Sequence, residues 1–188
     1  MNAGMLAPEL ATSQWLNASE PQTLAMHRGK VIVVEVFQML CPGCVSHSLP
    51  QAQRVCQTFS RDDVVVLGLH SVFEHHDAMT LVALKAFLHE YRLTFPVGVD
   101  MPGDNHPLPR TMATYGMNGT PTMLLIGRDG RLAIHHFGQL QDLDLGANIA
   151  TLAAQTGFAG MDKADPDPAE NKAGEGRCTQ DACPVGEG

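Results

Sequence analysis

The chain has 188 residues, which is the length of one ordinary domain with room for a terminal extension. Its formal net charge of -8 and its lack of any Lys/Arg cluster argue against a nucleic-acid partner, which would need a basic surface. No apolar run approaches the ~20 residues of a membrane-spanning helix, so we expect no membrane span.

The N-terminal region gives a first indication of the compartment. Residues 1–15 lack the basic start and the apolar run of a signal peptide. We therefore expect a cytoplasmic protein or, alternatively, a periplasmic protein whose signal peptide has been removed. Five cysteines are too few for a disulfide-stapled scaffold of this length. One tight pair in an odd total instead indicates catalysis or metal binding.

The first strong element in the sequence is a near-continuous β-branched run over residues 31–38, typical of a central strand buried on both faces. Cys41 follows closely, and apolar residues then recur at helical steps of three and four. Those positions are Val45, Leu49, Ala52, Val55, Cys56 and Phe59. Because Pro50 falls inside this pattern, we expect a kink there.

The rest of the domain alternates between strands and helices. The patterns predict strands over 64–70, 95–99, 120–126 and 131–137, and helices over 79–91, 110–115 and 140–156. An Arg-Asp-Gly turn at 128–130 makes the last two strands a hairpin. This order predicts an α/β fold whose sheet has a parallel part and an antiparallel end.

The composition changes at residue 159. From 159 to 188 there are seven acidic and three basic residues, a net charge of -4, with many prolines and glycines. This composition indicates a flexible, acidic tail. We therefore divide the chain into a domain over 1–158 and a tail over 159–188. The tail carries a second cysteine pair, Cys178 and Cys183.

The Cys41-Pro42-Gly43-Cys44 motif stands where a strand ends and a helix begins. Free backbone N–H groups and the helix dipole stabilise a thiolate at such a position, and the thiolate is the species that attacks disulfides. We predict that Cys41 attacks and that Cys44, more buried and of higher pKa, resolves the mixed disulfide. Pro42 suits the first helical turn because its missing N–H costs nothing there.

A metal site is the first alternative interpretation of the motif. The motif could be half of a zinc site completed by Cys178 and Cys183, and the chain would then be a non-catalytic metal-binding module. Structural zinc needs four fixed ligands, and the buried strand before the motif favours redox chemistry. We interpret the loop residues His75, His76 and Asp77 as solvated, and we expect no metal and no cofactor.

Two segments carry a resemblance to the thioredoxin superfamily, in particular to its TlpA-like and AhpC/TSA redoxin branches. They are residues 29–44, which begin Gly-Lys-Val and end at Cys44, and Gly119-Thr120-Pro121-Thr122. With the spacing of the elements between them, the resemblance covers roughly residues 5–156. It implies a thioredoxin-like fold, with a mixed central sheet flanked by helices. It also implies a thiol–disulfide oxidoreductase that exchanges with protein or low-molecular-weight thiols and disulfides.

The resemblance also implies roles for individual residues. Cys41 is the nucleophile, Cys44 is the resolving cysteine, and Pro121 is a cis-proline that lies against the pair. Thr120 helps to bind the substrate backbone, in a groove to which Pro42 and Gly43 also belong.

Three features depart from the family pattern. Leu40 replaces the usual tryptophan, the dipeptide is Pro-Gly rather than Gly-Pro, and Pro50 comes one residue later than expected. The dipeptide tunes the redox potential, so the direction of electron flow stays open.

Glu35 is the candidate proton carrier. Strand alternation places Glu35 on one face with Val31, Val33 and Phe37, where desolvation raises the pKa of a carboxyl group. Thioredoxins have a buried acid at the similar strand position, and it passes protons to the resolving cysteine. We predict the same role for Glu35. The alternative is a glutamate that is neutralised by a local hydrogen bond or faces a crevice.

A peroxiredoxin-type thiol peroxidase is the rival activity within the superfamily. Peroxiredoxins place Thr or Ser three residues before the peroxidatic cysteine and Pro four residues before that. The corresponding residues here are Gln38 and Val34, which do not match this pattern.

The tail cysteines Cys178 and Cys183 are a candidate secondary redox pair. A flexible linker from 159 to 178 has a root-mean-square span on the order of 25 Å. This span exceeds the domain's radius of gyration of roughly 15 Å. This reach allows the hypothesis of an attached dithiol that relays electrons to or from Cys41. The alternative is a spare thiol pair or adventitious metal binding.

Overall fold

Six strands form one mixed sheet in the computed structural model, which describes residues 4–155. The strands are β1 (Thr12–Leu16), β2 (Val31–Phe37), β3 (Val64–His70), β4 (Val97–Asp100), β5 (Thr122–Ile126) and β6 (Leu132–Phe137). Their order across the sheet is β1-β4-β3-β2-β5-β6. β2, β3 and β4 are parallel, whereas β1 and the β5–β6 hairpin pair antiparallel. The predicted thioredoxin-like fold is confirmed.

Four α-helices accompany the sheet. They are α1 (Leu49–Thr58), α2 (Leu81–Glu90), α3 (Arg110–Tyr115) and α4 (Asp142–Ala153). A 3₁₀ turn covers Ala25–His27, and a π-helical segment, hereafter the π turn, covers Cys44–Ser48. Local chemistry explains two helix ends. The Thr80 hydroxyl accepts the Ala83 N–H before α2, and Gly116 adopts a left-handed φ of 64° after α3.

Strand β2 lies at the centre of two apolar layers. Val31, Val33 and Phe37 belong to one cluster of buried residues, which includes residues of α1, α2 and α4. The alternate residues Ile32, Val34 and Val36 belong to a second cluster, with residues of α3 and of the N-terminal segment. Since both faces are covered, every residue of β2 is buried, and this burial explains its continuous apolar run.

Two elements differ from the sequence-based prediction. Strand β1 was not expected. It is a short edge strand that pairs with β4 and with no other strand in the described part of the chain. Each of its residues is exposed or half-buried, so it carries no clear apolar alternation. We also expected a kink at Pro50 within one helix. Instead, Pro50 stands in the first turn of α1, and the irregularity is the π turn just before it.

The proposed tail over 159–188 lies outside the described residues, and so do Cys178 and Cys183. The boundary at residue 158 therefore stays a prediction. Within residues 4–155, no helix is long and apolar enough to cross a membrane.

Candidate active site

A disulfide joins Cys41 to Cys44 beyond the end of β2. The two Cα atoms are 5.2 Å apart, within the range that a disulfide requires. Cys44 is completely buried, whereas Cys41 is partly exposed. An incoming thiol or disulfide can therefore reach Cys41 but not Cys44, as the predicted roles of the two cysteines require.

One backbone N–H group donates to the sulfur of Cys41. The Cys44 N–H donates to the Cys41 Sγ at 3.2 Å, and the Val45 N–H donates to the Cys41 carbonyl at 3.1 Å. The first turn of the helix thus points an N–H group at the sulfur that becomes a thiolate on reduction. This donor and the helix dipole both stabilise negative charge on Cys41.

The Thr120–Pro121 peptide bond is cis, as the resemblance implied, and the roles of both residues toward a partner stay predictions. A Cβ placed on Gly43 would lie 3.4 Å from the Pro121 Cδ, so the proline ring packs against the cysteine motif. The Gly138 N–H donates to the Pro121 carbonyl at 2.8 Å and joins this loop to the end of β6. The fold thus brings residues 41–44 and 120–121 together, although 76 positions separate Cys44 from Thr120 in the sequence.

Two large apolar side chains near the motif and the proline loop are exposed. Leu40 directly precedes Cys41 and is 56% exposed, and Phe137 at the end of β6 is 55% exposed. The Phe137 ring lies over Gly119, where an added Cβ would meet it at 3.2 Å. We call Leu40 and Phe137 the apolar rim. Phe137 was not singled out from the sequence, because its place depends on the register of the hairpin.

Glu35 lies in the centre of the sheet, between Gly68 of β3 and Met123 of β5. It is 2% exposed, and burial raises its pKa to about 8. Its Oε1 has no hydrogen-bond partner among the described residues. The predicted burial and raised pKa are confirmed, whereas the role in proton transfer stays a prediction. Glu35 is thus protonated near neutral pH, yet it can ionise in mildly alkaline solution.

Ser48 is a site residue that the sequence analysis did not single out. Its hydroxyl acts on Glu35 by lowering the pKa of that carboxyl, against the larger effect of burial. Ser48 is itself buried, and its Oγ has no hydrogen-bond partner within residues 4–155. The sequence signal for this turn was Pro50, which comes one residue later than in the family pattern. This displacement indicates an extra residue in the turn that contains Ser48.

The described residues also bear on the metal alternative. Between residues 4 and 155, no group of three or more His, Cys, Asp or Glu side chains is placed to hold a metal ion. His75, His76 and Asp77 are exposed, as predicted. Cys56 is a free thiol whose pKa is raised by burial, so it is a poor nucleophile.

The positions that a peroxidase would use are occupied by buried side chains without hydroxyl groups. Gln38 is 1% exposed and Val34 is completely buried. The Gln38 carbonyl accepts the Cys41 N–H at 3.2 Å, but its side-chain Oε1 lacks a partner within the described part of the chain. Neither residue therefore supplies a Thr or Ser hydroxyl that would bind peroxide beside Cys41.

The fold and this site define a thioredoxin-like redox protein with a dithiol/disulfide centre. The chain belongs to the AhpC/TSA family, whose model matches residues 4–135. It is similar to the crystal structure of a thioredoxin-like superfamily protein, with 61% identity and a TM-score of 0.79 over 81% of this chain and 98% of that one. It is also similar to a thiol-disulfide isomerase from Corynebacterium glutamicum, with 48% identity and a TM-score of 0.76 over 80% and 98% of the two chains.

Curated relatives share a smaller part of their length with this chain. The thiol-disulfide oxidoreductase ResA of Bacillus thuringiensis strain Al Hakam is 25% identical over 112 residues, which are 60% of this chain and 57% of ResA. NHL repeat-containing protein 2 of Gallus gallus is 31% identical over 98 residues, which are 50% of this chain and 13% of that protein. The chain therefore spans less than two thirds of the curated relatives it matches here.

Proposed function

We propose that this chain is a thiol–disulfide oxidoreductase that exchanges its Cys41–Cys44 disulfide with protein or low-molecular-weight thiols. One observation carries the proposal: a disulfide at the start of a helix has one reachable and one completely buried sulfur, beside a cis-proline. The similarity to a protein named as a thiol-disulfide isomerase supports it.

The reduced pair acts in two steps. The Cys41 thiolate attacks a sulfur of the partner disulfide, and the first partner sulfur leaves as a thiolate. Cys44 then loses its proton and attacks the Cys41 sulfur. The bond between Cys41 and the partner breaks, the Cys41–Cys44 bond forms, and the second partner sulfur leaves reduced. All steps are reversible, so the same atoms oxidise a dithiol when the pair starts as the disulfide.

Glu35 is the proton acceptor for Cys44 in this scheme. Cys44 and Glu35 are both buried, so bulk water cannot readily take up the thiol proton. A carboxyl group with a pKa of about 8 matches the usual thiol pKa of about 8.5, and proton transfer between two such groups costs little. Glu35 later releases the proton when the pair is reduced again.

The partner chain binds at the surface around the reachable sulfur. Pro42, Gly43, Thr120 and Pro121 form the part of this surface nearest the disulfide. The backbone of Thr120 contacts the partner backbone, and the Pro121 ring sets how closely the partner approaches Cys41. Gly43 lies against the Pro121 ring, at a distance where an added Cβ would be in ordinary van der Waals contact with the ring.

The direction of exchange depends on the compartment. In the cytoplasm, where we place the protein, thiols are kept reduced, and the pair then serves as a reductant of partner disulfides. A reductant of this kind has a reduction potential of about -270 mV, whereas an exported oxidant has one of about -120 mV. A redox titration of the Cys41–Cys44 pair in glutathione or dithiothreitol buffers measures this value.

The decisive experiment traps the mixed disulfide. In a Cys44→Ser variant whose tail cysteines Cys178 and Cys183 are also replaced by serine, Cys41 can attack a partner disulfide but no resolving cysteine remains, so we expect a stable covalent complex that dithiothreitol releases. Cys41→Ser in the same tail background is the matched control and should trap nothing, and Cys56→Ser should behave like the parent. Equal trapping by the Cys41→Ser variant would contradict the proposed roles. Rapid consumption of hydrogen peroxide that depends on Cys41 would favour the peroxidase instead.

A further inference from the structure

The helix after the disulfide begins with a widened turn. In the π turn, the Leu49 N–H donates to the Cys44 carbonyl five residues earlier, rather than to a carbonyl four residues earlier. Such a turn holds one more residue than an α-helical turn. It therefore absorbs the one-residue displacement of Pro50, and α1 starts directly after it.

Cys44 and Ser48 are the buried residues of the π turn. The three residues between them, Val45, Ser46 and His47, are half-buried or exposed. Cys44 and Ser48 therefore share the inward face of the turn, as residues four apart do on a helix. Ser48 thus stands one turn beyond the resolving cysteine. Cys44 and Leu49, at the two ends of this turn, pack in the same buried cluster as Val33 and Phe37, which flank Glu35 on its face of β2, so the turn covers Glu35.

Glu35 and Ser48 each present a buried oxygen that has no hydrogen-bond partner within the described residues. Such atoms are rare in folded proteins and require an explanation. A serine hydroxyl rotates freely and can donate or accept, whereas an ionised carboxylate only accepts. Hydrogen bonds to an ionised group are about twice as strong as those between neutral groups. Ser48 therefore gains most from Glu35 when Glu35 has lost its proton.

Glu35 faces few other charges. The neighbouring strands present Gly68 and Met123 beside it. The buried residues of α1 and α4 are uncharged, and the π turn contributes the thiol of Cys44. His70, which lies beside Phe37 and two residues along β3 from Gly68, is the titratable side chain that β3 places on this face, and burial lowers its pKa to about 4, so it is uncharged near neutral pH. The Ser48 hydroxyl and the Cys44 sulfur come from the π turn that covers the same face.

We propose that Ser48 is a positioning residue for thiol–disulfide exchange, whose hydroxyl donates to ionised Glu35 and so favours the form that accepts the Cys44 proton. This inference rests on the proposed function. The Cys44 thiol transfers its proton to the Glu35 carboxylate, and the Ser48 hydroxyl keeps its own proton throughout. The resulting thiolate attacks Cys41, which releases the partner thiolate and closes the disulfide.

Two measurements on Ser48→Ala test the inference. The first is a titration of the Glu35 carboxyl by ¹³C NMR in the oxidised protein, in which Cys44 cannot titrate. We expect the pKa of Glu35 to move further upward, because the ionised form loses a donor. The second is the pH dependence of partner-disulfide reduction. Below pH 8 we expect about a tenfold lower rate, since a hydrogen bond to a charged group changes the ionised fraction by about that factor.

A matched set of variants separates the hydroxyl from packing. Ser48→Thr keeps the hydroxyl and should retain the parental titration of Glu35. Ser48→Val has the same shape as Ser48→Thr but no hydroxyl, and it should behave like Ser48→Ala. Ser46→Ala removes an exposed hydroxyl from the same turn, one that donates to the Pro42 carbonyl, and should change neither measurement. If Ser48→Ala folds poorly, the Thr and Val pair still gives the comparison.

Failure of this inference differs from failure of the proposed role of Glu35. If Ser48→Ala and Ser48→Val keep the parental titration and pH profile while Glu35→Gln abolishes the alkaline inflection, Ser48 has no positioning role. If Glu35→Gln leaves the pH profile unchanged, Glu35 is not the proton acceptor and the inference fails with it. Mixed-disulfide trapping at Cys41 is independent of both results.

Discussion

His70 of β3 lies directly beside Phe37 of β2, with their ring centroids 5.3 Å apart and the ring planes inclined by 49°. The imidazole is 2% exposed and its Nε2 has no partner among the described residues. It lines a cavity of about 500 Å³ at the carboxyl ends of β3 and β4. Burial of this ring, with Nε2 unpartnered, favours the uncharged imidazole.

Stability in acid should therefore depend on His70. Burial lowers its pKa from 6.5 to about 4, so between these values the unfolded chain binds a proton that the folded chain does not. The free energy of unfolding should fall as the pH drops below 6.5 and through 4. Replacement by phenylalanine, which preserves the aromatic contact with Phe37, should remove this loss, worth about 3 kcal/mol near pH 4.

Urea denaturation at pH 4 and pH 7 measures this effect, and exposed His76→Gln is the control. Asp100 also lines the cavity, and burial raises its pKa, but it is present in both variants and cancels in the comparison. Equal acid sensitivity of His70→Phe and the parent would show that another group destabilises the fold in acid.

Glu35 should give the opposite pH dependence of stability. Its pKa is about 8 in the folded protein and 4.5 as a free side chain, so the folded chain holds a proton that the unfolded chain releases. The stabilising contribution is complete below pH 4.5 and is lost as the pH rises through 8. Denaturation of the oxidised protein at pH 5 and pH 9 gives the free energy of unfolding at each pH. The difference between the two values should be several kcal/mol smaller in Glu35→Gln than in the parent.

A matched control for this measurement is exposed Glu90→Gln, which should retain the parental difference. Using the oxidised protein removes Cys41 and Cys44 from the titration, because disulfide sulfurs do not ionise. If the free energy of unfolding of Glu35→Gln changed between pH 5 and pH 9 as much as that of the parent, the Glu35 carboxyl would be better solvated than its burial indicates.

Periodicity alone predicted the elements that hold the disulfide. The buried strand before Cys41 is continuous in apolar residues because helices cover both faces of β2, and alternation placed Glu35 on the face of Val31 and Val33. The approach of Pro121 to Gly43 is a contact between distant segments, so the sequence indicated it only through the resemblance to thioredoxins.

Other parts of the site depend on geometry that no local pattern encodes. The π turn differs from an α-helical turn by one hydrogen-bond partner, and the sequence carries only the late Pro50 as a trace of it. Strand β1 is defined by its pairing with β4 rather than by its own apolar residues. Phe137 lies beside the proline loop because of the β5–β6 register, in which it pairs with Thr122.

The apolar rim should select partners. An exposed leucine and an exposed phenylalanine near one reachable sulfur favour partners with apolar residues next to the reacting cysteine. Leu40→Ser and Phe137→Ser should each raise KM for a protein disulfide several-fold and leave reduction of a small disulfide such as 5,5′-dithiobis(2-nitrobenzoate) unchanged. Exposed Leu143→Ser on α4 is the control. Equal losses for both substrates would point to a general defect of the site.

The last prediction concerns the tail cysteines as a second redox pair. Cys178 and Cys183 lie outside the described residues, and their role rests on the length of the tail and on their spacing. A dithiol attached to the same chain meets Cys41 at a high effective concentration. Replacing both by serine should therefore slow turnover of the Cys41–Cys44 pair with at least one reductant by tenfold or more.

The kinetic order distinguishes a relay within one chain from exchange between chains. A relay within the chain gives a rate independent of protein concentration, whereas exchange between molecules gives a rate that rises with it. The variant that lacks the tail cysteines can then be mixed with an excess of a Cys41→Ser chain that keeps them. This addition should restore turnover if exchange occurs between molecules, but not if the relay acts within one chain. Unchanged rates in the double serine variant with every reductant tried would leave Cys41 and Cys44 as the complete redox centre.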